Sequence, residues 1–249
     1  LLSGTYVPQP VKGVQIPKPQ GGYRQLGIPT VRDRVVQQAI NQVLQPLYDP
    51  KFSPSSFGFR PRRGAHDALR RACEIVKSGK STVVDIDLAK FFDEVNHNRL
   101  LWLLSTRIGD KRMLSLISRI LKTDILRDGL CSQRIKGTPQ GSPLSPLLSN
   151  IVLDELDQEL TRRNLDFIRY ADDVQIFVGS QLSAERVQES IISFIEDKML
   201  LKVNRDKSGI KTSYKVNFLG HSLLRGGKLG LSKSSEERLK MKFKTITRR

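Results

Sequence analysis

The clearest period-two pattern in the chain lies in Ile168-Arg169-Tyr170-Ala171-Asp172-Asp173-Val174-Gln175-Ile176-Phe177-Val178. Val174, Ile176 and Val178 alternate with Gln175 and Phe177, which marks a strand. β-favouring residues also precede the two carboxylates, so the stretch predicts a hairpin bent at Asp172-Asp173. A second strand is predicted from Ser81 to Asp87, where Asp85 and Asp87, two positions apart, share a face. From Leu88 onward the pattern turns helical and carries Phe91, Phe92 and Asp93. Near the start, Val14–Lys18 and Tyr23–Pro29 flank Gln20-Gly21-Gly22, predicting a hairpin with Lys18 and Arg24 near its tip. Val216 to Gly220 also reads as a strand.

Period-3.6 patterns lie between these. Thr30 with Asp33 is a helix-start signal; Val35, Val36, Ala39, Ile40, Val43 and Leu44 then predict a core-facing helix ended by Pro46. Leu69, Ala72, Cys73 and Val76 predict the inner face of a helix from Ala65 to Lys77, closed by Gly79. Asn96–Arg107 and Lys111–Lys122 form two more helices, the first apolar almost all round and hence buried, with Trp102 in the core. Leu147, Leu148, Ile151, Val152, Leu156 and Leu160 give a long amphipathic helix ending at Arg162-Arg163. A helix capped by Ser183 reaches about Leu200, and a basic helix-like tail runs over 232–249. The tail's Leu239, Met241, Phe243 and Ile246 form no full amphipathic face, so a partner surface outside this chain is expected.

Composition changes the picture through charge. The 42 Lys+Arg against 25 Asp+Glu leave the 249-residue chain at +17, with a pI near 10.1. So basic a globular chain points to a polyanionic partner, foremost nucleic acid. No run approaches the roughly 18–20 apolar residues of a spanning helix, and no signal peptide opens the chain, so no membrane role is expected. Cys73 and Cys131 lack partners at metal-ligand spacing, and His66, His97 and His221 form no zinc signature. A reducing, cytoplasmic setting fits.

Candidate chemistry follows. Two carboxylates at a tight bend repel one another, which a divalent cation relieves; a solvated turn is the other reading of that stretch alone. Asp87, at the end of its strand, is where active-site acids sit in many α/β architectures. Lys18 and Arg24 are either a phosphate clamp or two solvated cations. Phe57-Gly58-Phe59-Arg60-Pro61-Arg62-Arg63-Gly64 mixes arginines and aromatics, which suits nucleic-acid contact with the rings inside and the arginines out. Gly137 to Pro146 is a rigid turn segment that presents Gln140.

Seven motifs then stand in order: Arg24-x-Leu-Gly-Ile-Pro, Phe57-Gly-Phe-Arg-Pro, Asp85-Ile-Asp-x-x-x-Phe-Phe-Asp, Pro139-Gln-Gly-Ser-Pro-Leu-Ser-Pro, Tyr170-Ala-Asp-Asp, Leu201-x-x-Asn-x-x-Lys207 and Phe218-Leu-Gly. The set resembles a reverse transcriptase, most of all the bacterial group II intron-encoded kind, also called intron maturases. The resemblance spans about Val14 to Leu231. It implies an α+β, right-hand polymerase fold: fingers over 1–80, a palm over 81–231 with an antiparallel sheet backed by helices, and a basic helix over 232–249 leading towards a thumb. Members usually carry an N-terminal extension, a thumb and DNA-binding or endonuclease parts, so the chain is expected to be a fingers–palm module.

The resemblance also implies site residues. Asp87 and Asp172 would hold two Mg²⁺ ions ~4 Å apart, supported by Asp173, with Leu88 counted among the metal and nucleotide contacts. One ion would activate the primer 3′-hydroxyl, and the other would hold the triphosphate. Lys18 and Arg24 would clamp that triphosphate. Gln140 would line the nucleotide site, and Phe91 or Phe92 would exclude a 2′-hydroxyl; the sequence leaves open which. Lys207 is a candidate proton donor to pyrophosphate. Phe218, Leu219 and Gly220 would position the primer, and Arg60, Arg62 and Arg63 would contact nucleic acid. Implied partners are an RNA template, a DNA primer, dNTPs and group II intron RNA, in a bacterial cytoplasmic ribonucleoprotein. A homodimer is compatible with the sequence but does not follow from it. Affinity for nucleic acid should fall steeply with salt. An RNA-binding splicing cofactor without polymerase activity, and a retron or defence-associated reverse transcriptase, are the competing readings; clustered carboxylates on a cationic protein favour the polymerase.

Overall fold

The computed structural model describes residues 1, 4–17, 21–127 and 129–247. Contacts divide the chain into two compact units. The first comprises Leu1–Phe52, Ala89–Leu156 and Leu200–Lys202; the second comprises Ser53–Leu88, Asp157–Met199 and the chain from Val203 on. Residues 53–80 thus group with the Asp87 strand rather than with the first 52 residues.

In the first unit, β1 (Val11–Pro17) and β2 (Tyr23–Ile28) form the expected antiparallel hairpin. Lys18 and Gln20 of its tip lie outside the described residues. Sequence periodicity gave no sign of β4 (Ile125–Arg127) and β5 (Leu130–Ser132), which extend the sheet in the order β2-β1-β4-β5. Three-residue strands carry too few alternations to be read. Helix α1 (Val31–Tyr48) starts at its Thr30 cap but runs through Pro46. It is also rotated from the expected face: Asp33, Gln37, Ile40, Leu44 and Tyr48 are buried, and Val31, Val35, Val43 and Leu47 are exposed. Paired polar groups set that rotation. Asp33 accepts from the Tyr6 hydroxyl, the Thr30 hydroxyl (2.6 Å) and the Gln9 amide (3.3 Å), and Gln37 accepts from the Ser142 hydroxyl at 2.6 Å. A buried carboxylate satisfied three times is tolerated inside. The short α3 (Phe91–Glu94) precedes α4 (His97–Ser105) and α5 (Lys111–Leu121). Leu100 and Leu104 are buried, but Trp102 is 59% exposed, against the expectation that α4 is buried all round. A nine-residue helix packed on one side leaves its other side in solvent.

Helix α6 (Ser145–Arg162) begins in the first unit and ends in the second. The second unit is built on a sheet ordered β6-β7-β3-β8, from β6 (Asp166–Tyr170), β7 (Asp173–Val178), β3 (Thr82–Ile86) and β8 (Gly209–Thr212), with every pair antiparallel. Helix α2 (Ala65–Lys77) presents Ala68, Leu69, Ala72 and Val76 to a core shared with Val83, Ile168, Phe177 and Phe218. Helix α7 (Gln181–Ser193) packs on β3, β7 and β8. Its cap is Ser180, which accepts from the Ser183 amide, so the helix starts three residues before the expected Ser183 cap. Val216–Gly220 forms no strand; Phe218 and His221 exchange backbone bonds of 2.9 Å in a tight turn. Beyond it come β9 (His221–Leu224), β10 (Lys228–Leu231) and the basic α8 (Lys233–Thr247). No residue of α8 is buried, and Met241, Phe243 and Ile246 stand exposed. Among the described residues no helix is long and apolar enough to cross a membrane.

Candidate active site

Strand register brings the carboxylates together. Tyr170 pairs with Asp173, leaving Ala171-Asp172 as a two-residue hairpin loop. Ala171 takes φ 58°, the left-handed conformation that such a tight loop demands. Across β3 and β7, Val84 faces Ile176, Asp85 faces Gln175 and Ile86 faces Val174. Continued one step past its last pair, the same register would set Asp87 opposite Asp173, and the Asp87 charge does act on Asp173. Residues directly opposite share a face, so Asp85, Asp87 and Asp173 lie on one side of the sheet, with Asp172 in the adjoining loop.

Like charges so placed repel. The Asp173 carboxyl is pushed up from 3.8 to about 6, first by the protein that displaces water around it, then by Asp172, Asp87 and Asp85, with Lys207 opposing. Asp173 is nevertheless an exposed residue, so the group is crowded rather than sealed off and solvent screens part of that push. Two lysines stand among these acids. Lys211 Nζ lies 2.7 Å from Asp85, whereas Lys207 Nζ is 3.7 Å from Asp87. Hard oxygen donors carrying excess negative charge are what Mg²⁺ takes. As the side chains stand, no group of three or more His, Cys, Asp or Glu among the described residues is gathered closely enough to hold an ion.

Asp87 is fixed through its backbone. Its amide donates to Ser208 Oγ at 2.9 Å, and its carbonyl accepts from the Asn204 amide at 2.9 Å. The neighbouring Leu88 is buried and bridges to Val203. The segment from Val203 to Ser208 therefore serves as a frame for Asp87 and its neighbour, with Lys207 3.7 Å from the carboxylate. Ser208 and Lys211 were not read from the sequence, because isolated polar residues carry no periodic signal.

Arg24, Phe91, Phe92 and Gln140 belong to the first unit, the carboxylates to the second. Arg24 sits on β2 opposite Ile16 and is exposed. The Gln140 carbonyl accepts from the Gly27 amide at 2.8 Å, tying the Pro139-Gln140-Gly141 loop to β2. Behind that loop, His97, 4% exposed, bonds through Nε2 to the Gly137 carbonyl at 2.7 Å, and burial holds its pKa below the usual value. Gly137 has φ +87°, and a Cβ there would come within 2.8 Å of the Phe92 carbonyl. Phe91 is buried and Phe92 partly exposed, their rings 5.4 Å apart at 69°.

Two groups expected to face nucleic acid point inward. Arg60 is buried, and its guanidinium donates to the carbonyls of Ser53 (2.7 Å) and Ser56 (3.0 Å); those carbonyls need donors, and a long buried side chain supplies them. Phe218 lies in the α2 core at 1% exposure, a ring being worth more there than in water. Leu219 packs against the same core with φ 51°, and Gly220 follows with φ 80°. Arg63 donates to Pro54 (2.6 Å) and lies over the Phe57 ring, while Arg62 is exposed.

The family model described as reverse transcriptase (RNA-dependent DNA polymerase) matches residues 16–223. The chain belongs to the reverse transcriptase family. Among curated relatives, Protein YkfC of Escherichia coli K12 is 34% identical over 90% of this chain and 69% of its own length. The group II intron-encoded protein LtrA of Lactococcus lactis subsp. cremoris is 30% identical over 90% of this chain and 48% of its own. The chain thus spans about half the length of LtrA. A telomerase from Candida albicans, solved with a fragment of telomeric RNA, superposes with a TM-score of 0.71 over 93% of this chain and 46% of that one; at 12% identity this shows a shared fold. This reverse transcriptase is accordingly an α+β chain of the polymerase type, with an antiparallel sheet at its carboxylates.

Proposed function

We propose that the chain is the fingers–palm module of an RNA-directed DNA polymerase of the group II intron-encoded type. The observation that carries this is the crowding of acids at the end of the β3–β7 ladder, where Asp172, Asp87 and Asp85 all push the Asp173 carboxyl up. Asp87, Asp172 and Asp173 would hold two Mg²⁺ ions, with Leu88 adjoining them; such ions would supply the positive charge that lowers the pKa of a primer 3′-hydroxyl and stabilises a departing pyrophosphate. Lys207, 3.7 Å from Asp87, would give that leaving group a proton. Arg24 and Lys18 would grip the triphosphate, and Gln140 would line the nucleotide site. Phe92, the partly exposed ring of the pair, would select against a 2′-hydroxyl.

An RNA template, a DNA primer and dNTPs are the substrates in this reading. The +17 charge suits a grip on the backbone of an RNA–DNA duplex and of intron RNA, within a ribonucleoprotein. Primer extension on an RNA template by the full-length protein tests it. Asp172→Ala should lower the rate by about 100-fold or more, since metal-held charge supplies several kcal/mol, while RNA binding stays near wild type. Full extension by that variant would refute the site; loss of RNA binding alongside extension would point to a folding defect, which circular dichroism would reveal.

A further inference from the structure

The loop that carries Asp172 rests on a charge pair inside the protein. Arg169 and Asp157 are both fully buried, at 0% side-chain exposure. Arg169 Nε donates to Asp157 Oδ1 at 2.8 Å and its Nη2 to Asp157 Oδ2 at 2.6 Å, a bidentate fork. The remaining terminal nitrogen, Nη1, donates to the carbonyl of Ala171 at 3.0 Å. That carbonyl belongs to the peptide joining Ala171 to Asp172. One guanidinium therefore ties helix α6, through Asp157, to the loop peptide of the carboxylate hairpin.

The backbone of Arg169 is fixed as well. Its amide donates to Ser55 O at 2.9 Å, and its carbonyl accepts from the Phe57 amide at 2.9 Å. On the other side Gly58 presses against the loop: a Cβ on it would lie 2.2 Å from the Ala171 nitrogen. Ala171 itself holds φ 58°, a conformation that a non-glycine residue keeps only when its surroundings impose it. Burying a full ion pair is costly, and an apolar pair of similar size commonly serves stability as well or better. Stability alone is thus a poor reason to place a charge here. The third donor, aimed at one particular carbonyl, is what an apolar pair cannot reproduce.

We infer that Arg169, oriented by Asp157, is a positioning residue that sets the Ala171–Asp172 peptide and so aims the Asp172 carboxylate at the metal site. The inference rests on the proposed metal site. It assigns Arg169 no contact with substrate or ion. It also assigns Gly58, within the Phe57-Gly58-Phe59-Arg60 motif, to the support of the same loop.

The test compares the full-length wild type with two variants: the apolar double replacement Asp157→Leu with Arg169→Met, and Arg169→Lys, which keeps the charge but has a single donor head. Three quantities are read: the unfolding temperature, amide hydrogen exchange of the peptide spanning 168–175, and primer extension as a function of Mg²⁺. The double variant should unfold at or above the wild-type temperature and exchange faster at the loop alone. It should need about 10- to 100-fold more Mg²⁺ for half-maximal extension, the range typical when a residue that orients a metal ligand is removed. Arg169→Lys should shift the Mg²⁺ midpoint the same way by a smaller factor. A folded double variant with the wild-type Mg²⁺ midpoint would overturn the inference. If the double variant does not fold, an unshifted midpoint in Arg169→Lys would overturn it equally. Should Asp172→Ala retain full extension, the metal-site reading itself fails; faster exchange in 168–175 would then still register the brace, and unchanged exchange would remove that too.

Discussion

The β6–β7 hairpin turns at Ala171-Asp172 between buried supports: the Arg169–Asp157 fork beneath it and the Gly58 backbone beside it. The β1–β2 hairpin, the other bend that carries expected chemistry, has a ladder from Lys12↔Ile28 to Pro17↔Tyr23, and towards its tip Ile16, Tyr23 and Arg24 are exposed. In the proposed reading the two differ in what they hold. Carboxylates that repel must be kept in place by something other than their own preference, so their hairpin is pinned at backbone level. In the proposed reading Arg24 would meet a mobile, highly charged triphosphate, which calls for reach, and a long exposed side chain on a simple ladder supplies it. Precision is built where charge is concentrated against itself, and latitude where charge meets its opposite.

That contrast can be broken from either side. Gly58→Ala carries the largest expected effect on folding. Its methyl would lie 2.2 Å from the Ala171 nitrogen, a backbone atom that cannot swing away. A loss of about 1–3 kcal/mol is expected from such overpacking, read by urea denaturation; an unchanged midpoint would mean that the loop is not pinned. Next comes pH. The folded Asp173 pKa is raised from 3.8 to about 6, so the folded state holds more protons than the unfolded chain in that window. Stability of the metal-free wild type should fall as pH rises from about 4 to about 6 and then level off, relative to Asp173→Asn, which lacks the titration. Since the carboxyl is partly in solvent, the difference should stay within about 1 kcal/mol. Parallel stability curves for the two proteins would argue against the crowding of the acids. The smallest effect on folding belongs to the other hairpin. Arg24→Ala should leave stability within about 0.5 kcal/mol of wild type and raise the KM for dNTP in primer extension; a large loss of stability would show that β1–β2 is pinned too.

Much of this was legible in the chain because it is local. Alternation around Asp172-Asp173 marks β6 and β7, i/i+4 spacing marks α2 and α6, and Thr30 with Asp33 marks the start of α1. What escaped depends on partners far along the chain. Arg169 finds Asp157 on α6, and Asp33 finds Tyr6, so the identity of neither partner is given by the residues alongside. The same dependence turned α1 so that Val31, Val35, Val43 and Leu47 face out and drew Arg60 inside. One clue was available: an arginine midway along a strand whose flanking residues are apolar has to be either exposed or paired, and Ile168 and Phe167 argue for paired. Asp87 could be named from the end of its strand, but its place near Asp173 is a matter of register, which is set only when β3 and β7 meet.

The central claim is that Asp87, Asp172 and Asp173 form a divalent-cation site. Its most direct measurement is Mn²⁺ binding followed by electron paramagnetic resonance, in the wild type and in Asp172→Asn, with Mg²⁺ added as competitor. Wild type should bind Mn²⁺ in a manner displaced by Mg²⁺, and Asp172→Asn should bind at least about 10-fold more weakly, as expected when a charged oxygen ligand is lost. Equal Mn²⁺ affinity in the two proteins would contradict the account.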